Sequence, residues 1–134
     1  MRVPFIHLIL CLLPALPAAH AHHSIAAVYD GTRQMQLTAT VTKFEFLHPH
    51  PILTVDVLEP HDQIGSWRLE MDNRFELADI GVTAETFRPG DQVLVTGSPG
   101  RTAARTLYIR KLERPADGFE YEQVGFRPAI RPGR

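Results

Sequence analysis

QLTATVTKFEFLHPHPILTVDVLE, residues 36–59, decides the fold. It reads as two β-strands joined by the turn Leu47-His48-Pro49-His50-Pro51. On the first strand Leu37, Ala39 and Val41 share one face, with Thr38, Thr40 and Thr42 opposite. After Lys43 the apolar phase moves to Phe44 and Phe46. Side chains on a strand alternate with a period of two, so a phase change needs one extra residue. A β-bulge near Thr42–Lys43 supplies it and bends the strand. Long bent first strands suit small closed barrels, where one strand serves both sides. Pro49 and Pro51 end the strand because proline cannot donate to a ladder. Each proline also pushes the preceding residue to extended geometry, which sets His48 and His50 on a stiff turn. Leu53, Val55 and Val57 then alternate with Thr54, Asp56 and Leu58 on the second strand.

Upstream of this stretch, residues 1–21 read as a secretory signal peptide. Arg2 is the positive start, Val3 to Leu16 is apolar and Ala19-His20-Ala21 is an A-x-A cleavage site. The apolar run is too short for a spanning helix of ~20 residues, and Pro14 and Pro17 interrupt it. Cleavage after Ala18 competes with cleavage after Ala21, which would leave His22 as the new N-terminus. Cys11, the single cysteine, lies in the leader, so the processed chain has neither a disulfide nor a thiolate ligand. Without Arg2, 13 basic residues face 15 acidic ones, a net of −2. That balance gives no electrostatic footprint for nucleic acid or an anionic membrane. The expected location is periplasmic or secreted, with no membrane span after processing.

Residues 22–35 read as an N-terminal arm packing through Ile25, Val28 and Tyr29, with a turn at Asp30-Gly31. Downstream, Glu59 to Ser66 is a polar loop containing His61, and Trp67 to Met71 is a third strand. On that strand Trp67, Leu69 and Met71 point inward, and Arg68, Glu70 and Asp72 outward. Asn73 can cap a short helix from Arg74 to Ile80, which Gly81 ends. Thr83 opens a further turn leading to Phe87. Arg88-Pro89-Gly90-Asp91 is a turn, Gln92 to Thr96 a fourth strand, Gly97 to Arg101 a loop and Arg105 to Leu112 a fifth strand. Asp117-Gly118 is a hairpin signal that adds a short edge strand, Phe119 to Tyr121. Residues 122–134, rich in Arg, Pro and Gly, read as a flexible tail. Three strands, a helix, then two strands is the order of an OB-fold barrel. The expectation is therefore an all-β domain with one short helix, a small five-stranded OB-fold-like β-barrel over residues 36–121. A β-sandwich is the competing fold.

Several short motifs in order carry a family resemblance. They are His22-His23-Ser24 before Tyr29-Asp30, Val41 and Phe46-Leu47-His48-Pro49-His50, Trp67, Gly81, and Pro89-Gly90-Asp91-Gln92-Val93. In this order the chain resembles the exported family named domain of unknown function 6152 over nearly all of its processed length. The resemblance implies an exported OB-like barrel and assigns no activity. Two positions depart from the family pattern. His48 stands where the family usually has the Asn of Asn-Pro-His, and Val28 stands where it tends to have a glutamate.

The chemistry is concentrated in histidines. The outward residues of strands two and three, Thr54, Asp56, Arg68, Glu70 and Asp72, lack the stacking aromatics and basic groove that single-stranded nucleic acid needs. No G-x-S-x-G elbow and no Gly-rich phosphate loop is present. Gly97-Ser98-Pro99-Gly100 reads as a hairpin turn. His22, His23, His48 and His50 are the candidate metal ligands. A free N-terminal His22 offers its α-amino nitrogen and imidazole Nδ1 as one chelate, a donor set that suits copper as Cu(II). Zinc would want four firm ligands, and the spacing matches no recognised zinc pattern. The plainer reading makes His22-His23 a polar start and lets His50 hold the turn through a backbone carbonyl. Three functions follow. The preferred one is a non-enzymatic exported binding module for a small ligand or an exported protein partner at a histidine-bearing rim. The second is a copper-binding accessory protein. The third is an enzyme using that metal, which needs an open coordination position and a substrate cleft that the sequence does not reveal.

Overall fold

The computed structural model describes residues 24–125 and 127–134. The leader at 1–21, His22 and His23 lie outside the described residues. Strand β1 (Met35–Glu45) pairs antiparallel with β2 (Ile52–Glu59). The fault in alternation is a real bulge: Val41 faces Val55 and Lys43 faces Thr54, so Thr42 has no partner in the ladder. Leu37, Ala39 and Val41 are buried before it, and Phe44 and Phe46 pack against the core after it. The extra residue therefore keeps both apolar sets on the inner face.

β3 (Gln63–Glu70) continues the hairpin, and β4 (Gln92–Pro99) lies on the other side of β1. β5 (Thr106–Arg114) pairs antiparallel with β4 and, over Thr106–Tyr108, parallel with Arg68–Glu70 of β3. That parallel contact closes β1, β2, β3, β5 and β4 into a five-stranded barrel. Leu53, Val55, Leu69, Val93, Val95, Leu107, Ile109 and Leu112 fill it. Trp67 is half-buried at its margin, with its indole N–H donating to Glu59 at 3.0 Å.

Helix α2 (Arg74–Asp79) sits between β3 and β4. Asn73 caps it as its sequence suggests, accepting from the Phe75 N–H at 2.8 Å. Leu77 is the fully buried residue of this helix, Ile80 packs against the core and Phe75 stays 64% exposed. Gly81, with φ 97°, ends it. The arm contains one helical turn, α1 (Ile25–Val28).

Three strand boundaries differ from the sequence reading. The polar loop after β2 shrinks to a 3-10 turn at Pro60–Asp62, so β3 starts at Gln63. β4 runs through the segment expected to be a loop, because the register shifts between Thr96 and Gly97 and the strand continues. Gly97 is needed there: a Cβ would meet the Tyr108 carbonyl oxygen at 2.3 Å. The largest correction is at the C-terminus. β6 (Phe119–Val124) extends past Tyr121, and β7 (Arg127–Arg131) pairs with it antiparallel where a flexible tail was expected. β6 joins the C-terminal half of β5, Lys111–Arg114, on the edge whose first half belongs to β3. Phe119 and Tyr121 are buried in the core, which makes this hairpin part of the domain.

Candidate functional site

The histidine turn is held from below by the link between β3 and α2. The Met71 N–H donates to the Pro51 carbonyl at 3.0 Å and the Arg74 N–H to the Pro49 carbonyl at 3.0 Å. The Arg74 side chain donates through Nε to the Phe46 carbonyl at 3.0 Å, and its guanidinium lies 4.7 Å above the Phe46 ring. His50 Nδ1 lies 3.0 Å from the Met71 carbonyl oxygen. A carbonyl can only accept, so Nδ1 carries the proton and Nε2 of the neutral ring keeps its lone pair. His48 is engaged differently. Its Nε2 is 2.7 Å from Arg74 Nη1 and accepts from it, while its ring lies 4.5 Å from that of Phe75.

The turn forms one wall of a cleft of about 440 Å³. Leu47, His48, Pro49, His50 and Ile52 line one side, Val28 and Tyr29 the arm side, and Arg68, Glu70, Ala103 and Thr106 the barrel side. Val28, expected to pack the arm down, is instead 37% exposed on this wall. The arm is fixed by backbone bonds to the end of β4: Asp30 N–H to the Pro99 carbonyl at 2.8 Å and Arg101 N–H to the Val28 carbonyl at 2.9 Å. Tyr29 is buried and donates its phenol to Glu70 at 2.7 Å. Burial first, and then this bond to a carboxylate, raise the Tyr29 phenol well above its ordinary range. Arg68 approaches the same Glu70 oxygen at 3.8 Å. The cleft thus combines apolar lining residues with an imidazole, a phenol, a carboxylate and a guanidinium, a common composition for small-ligand sites.

The sequence match settles the family. The model of DUF6152, a family of unknown function, matches residues 11–108. The chain belongs to this family. No curated protein and no solved structure matches it. The part matched to DUF6152 includes the turn, β1 to β4, and β5 as far as Tyr108; β6 and β7 lie beyond it.

Of the histidines singled out in this DUF6152 member, His48 and His50 share the cleft, whereas His22 and His23 fall outside the described residues. His61 lies at the other end of the β2–β3 hairpin, beside Glu59 and Gln63. Among the described residues no group of three or more His, Cys, Asp or Glu is placed to hold a metal ion. Among them also, no helix is long and apolar enough to cross a membrane.

Asp72 is a second residue that the sequence reading misplaced, after Val28. Expected on the outer face, it is 5% exposed. Tyr108 donates to its Oδ1, Tyr121 to its Oδ2 at 2.5 Å and Gln123 Nε2 to Oδ1 at 2.7 Å. β3 ends at Glu70, so strand alternation no longer governs the direction of the next side chains. The Asp72-Asn73 pair before a helix is the sequence signal that the strand had already ended.

Proposed function

We propose that this protein is an exported binding module that takes a small ligand in the cleft beside His50. The observation that carries the reading is the convergence of His50, Tyr29, Glu70 and Arg68 on one partly apolar cleft. No nucleophile–base pair is evident in that set, so binding is favoured over covalent catalysis. Export rests on Arg2, the apolar run and Ala19-His20-Ala21. The binding reading is tested by titrating labelled protein with a panel of small organic cations, organic anions and divalent metals. Resonances of Tyr29, His50 and Ile52 should move in the parent, and those of Tyr29 and Ile52 should stop moving in His50→Ala or Glu70→Gln. A response confined to other surfaces would reject the cleft. Uncleaved protein in the cytoplasm after fractionation would reject export.

A copper-binding reading is favoured by the state of His50. With Nδ1 bonded to a carbonyl, its Nε2 is oriented and keeps the free lone pair, the arrangement usual for metal-bound histidine. Val28 and Tyr29 bring the arm to the same cleft, and His22 and His23 precede them in sequence. His48 is a weaker ligand candidate because Arg74 already occupies its Nε2. Protein starting at His22 is expected to bind Cu(II) more tightly than the same chain with one added N-terminal residue, which removes the amine–imidazole chelate. Affinity should fall as pH drops through the ordinary ranges of the amine (~7.7–8.0) and imidazole (~6.5), since protons compete with the metal. His50→Ala should weaken it further and His61→Ala should not. Indifference to the added residue would refute the chelate.

A further inference from the structure

We infer that Asp72 is the positioning residue for His50, and that the C-terminal hairpin acts on the cleft through it. The inference builds on the cleft as the binding site, and it extends the site to residues far from any ligand.

A buried carboxylate is costly unless its lone pairs are satisfied, and an apolar side chain would fill the same space more cheaply. Asp72 is held by three neutral donors: Tyr108 from β5, and Tyr121 and Gln123 from β6. Gln123 is itself held by Arg110, whose guanidinium lies 4.9 Å over the Tyr108 ring. The residue before this carboxylate is Met71, whose two backbone groups both hold the histidine turn. Its N–H is bonded to Pro51 and its carbonyl to His50 Nδ1, each at 3.0 Å. The peptide unit is planar, so the Met71 carbonyl and the Asp72 Cα turn as one rigid group. Fixing Asp72 therefore fixes the direction of the carbonyl that selects the His50 tautomer and orients its ring at the cleft margin. The negative charge beside that peptide also strengthens the carbonyl as an acceptor. A bonded carbonyl behind an imidazole is the kind of outer partner that governs ligand basicity. The match to the family ends at Tyr108, so Tyr121 and Gln123 lie outside it. Two of the three donors thus come from the hairpin this chain carries beyond the matched region.

The test is nitrogen-detected NMR of the His50 ring in ligand-free protein, which reads tautomer and Nδ1–H exchange with water independently of any ligand. Tyr121→Phe removes one oxygen and keeps the ring, and Asp72→Asn keeps the shape and removes the charge. In either variant the Nδ1–H is expected to exchange about tenfold faster or more, as loss of one hydrogen bond to a charged group allows. The Nε2–H tautomer should also become populated. Val95→Ala, a core change on β4, should leave tautomer and exchange as in the parent. Unchanged His50 signals in both folded variants would overturn the inference and leave Asp72 a staple of β5 and β6 to the β3–α2 link. Equal acceleration in Val95→Ala would overturn it too, since general loosening would then suffice. The same panel of small organic cations, organic anions and divalent metals, run on the parent, separates this inference from the cleft reading. A parent in which no panel member moves the Tyr29 and Ile52 resonances counts against the cleft as a binding site, whereas the ring signals decide the role of Asp72.

Discussion

All three tyrosines of the chain donate their phenols to carboxylates: Tyr29 to Glu70, and Tyr108 and Tyr121 to Asp72. Tyr29 and Tyr108 also touch, with ring centroids 5.6 Å apart. Burial is the first cause, and the neighbouring carboxylate the next, that raises each phenol above the ordinary 10.0. The sign of the consequence follows from linkage. Each phenol stays neutral in the folded state where the unfolded chain would ionise, so the stability is complete below pH 10 and is lost as pH rises above it. In an alkaline titration, phenolate absorbance should be absent through the ordinary range and then appear for all three tyrosines together with unfolding. A stepwise rise in a still-folded protein would show that at least one phenol is free of its carboxylate. The histidines carry a parallel lesson. The Pro-stiffened turn is written in residues 47–51, but the partners that set each ring, Met71 for His50 and Arg74 for His48, lie more than twenty positions away. Sequence could nominate those histidines and could not distinguish their duties.

At the scale of elements, local signals were readable and non-local ones were not. The β1 bulge, the Asn73 cap and the inward face of β2 each depend on residues within a few positions of one another. β7 does not. Arg127-Pro128-Ala129-Ile130-Arg131 has the composition of a tail, and its strand geometry comes from pairing with β6, itself anchored by Phe119 and Tyr121. β4 was cut short for the same reason, since Gly97 looks like a loop until the Tyr108 backbone passes beside it. The hairpin yields a truncation experiment. A chain ending after Ala116 deletes both core aromatics and should fail to fold cooperatively, since removal of one buried aromatic alone costs about 3–5 kcal/mol. A chain ending after Gly125 keeps both and should fold, with a lower Tm from the loss of the half-buried Ile130. Circular dichroism melts of the two would decide; equal stability would show that β6 adds nothing to the core.

Across the whole molecule, one apolar interior is reached from every strand of the barrel, so stability should follow burial rather than position in the chain. Leu69 is fully buried, whereas Thr54 on the neighbouring strand is partly exposed on the outer side. Leu69→Ala should lower stability by about 2–5 kcal/mol. Thr54→Ala should change it by less than about 0.5 kcal/mol, as surface changes usually do. Equal losses in denaturant melts would mean the strand faces are misassigned. Closure of the barrel also leaves one question of colloidal behaviour, which β7 answers. β5 spends half an edge on β3 and half on β6, so the outermost free edge of the sheet belongs to β7. That edge is five residues long, contains a proline without an N–H and has an arginine at each end. Such an edge is a poor template for another chain. Without it, Phe-Glu-Tyr-Glu-Gln-Val of β6 would become the border, longer and free of proline. The chain ending after Gly125 should therefore fold and yet self-associate with rising concentration, at a salt concentration where the complete protein stays monodisperse.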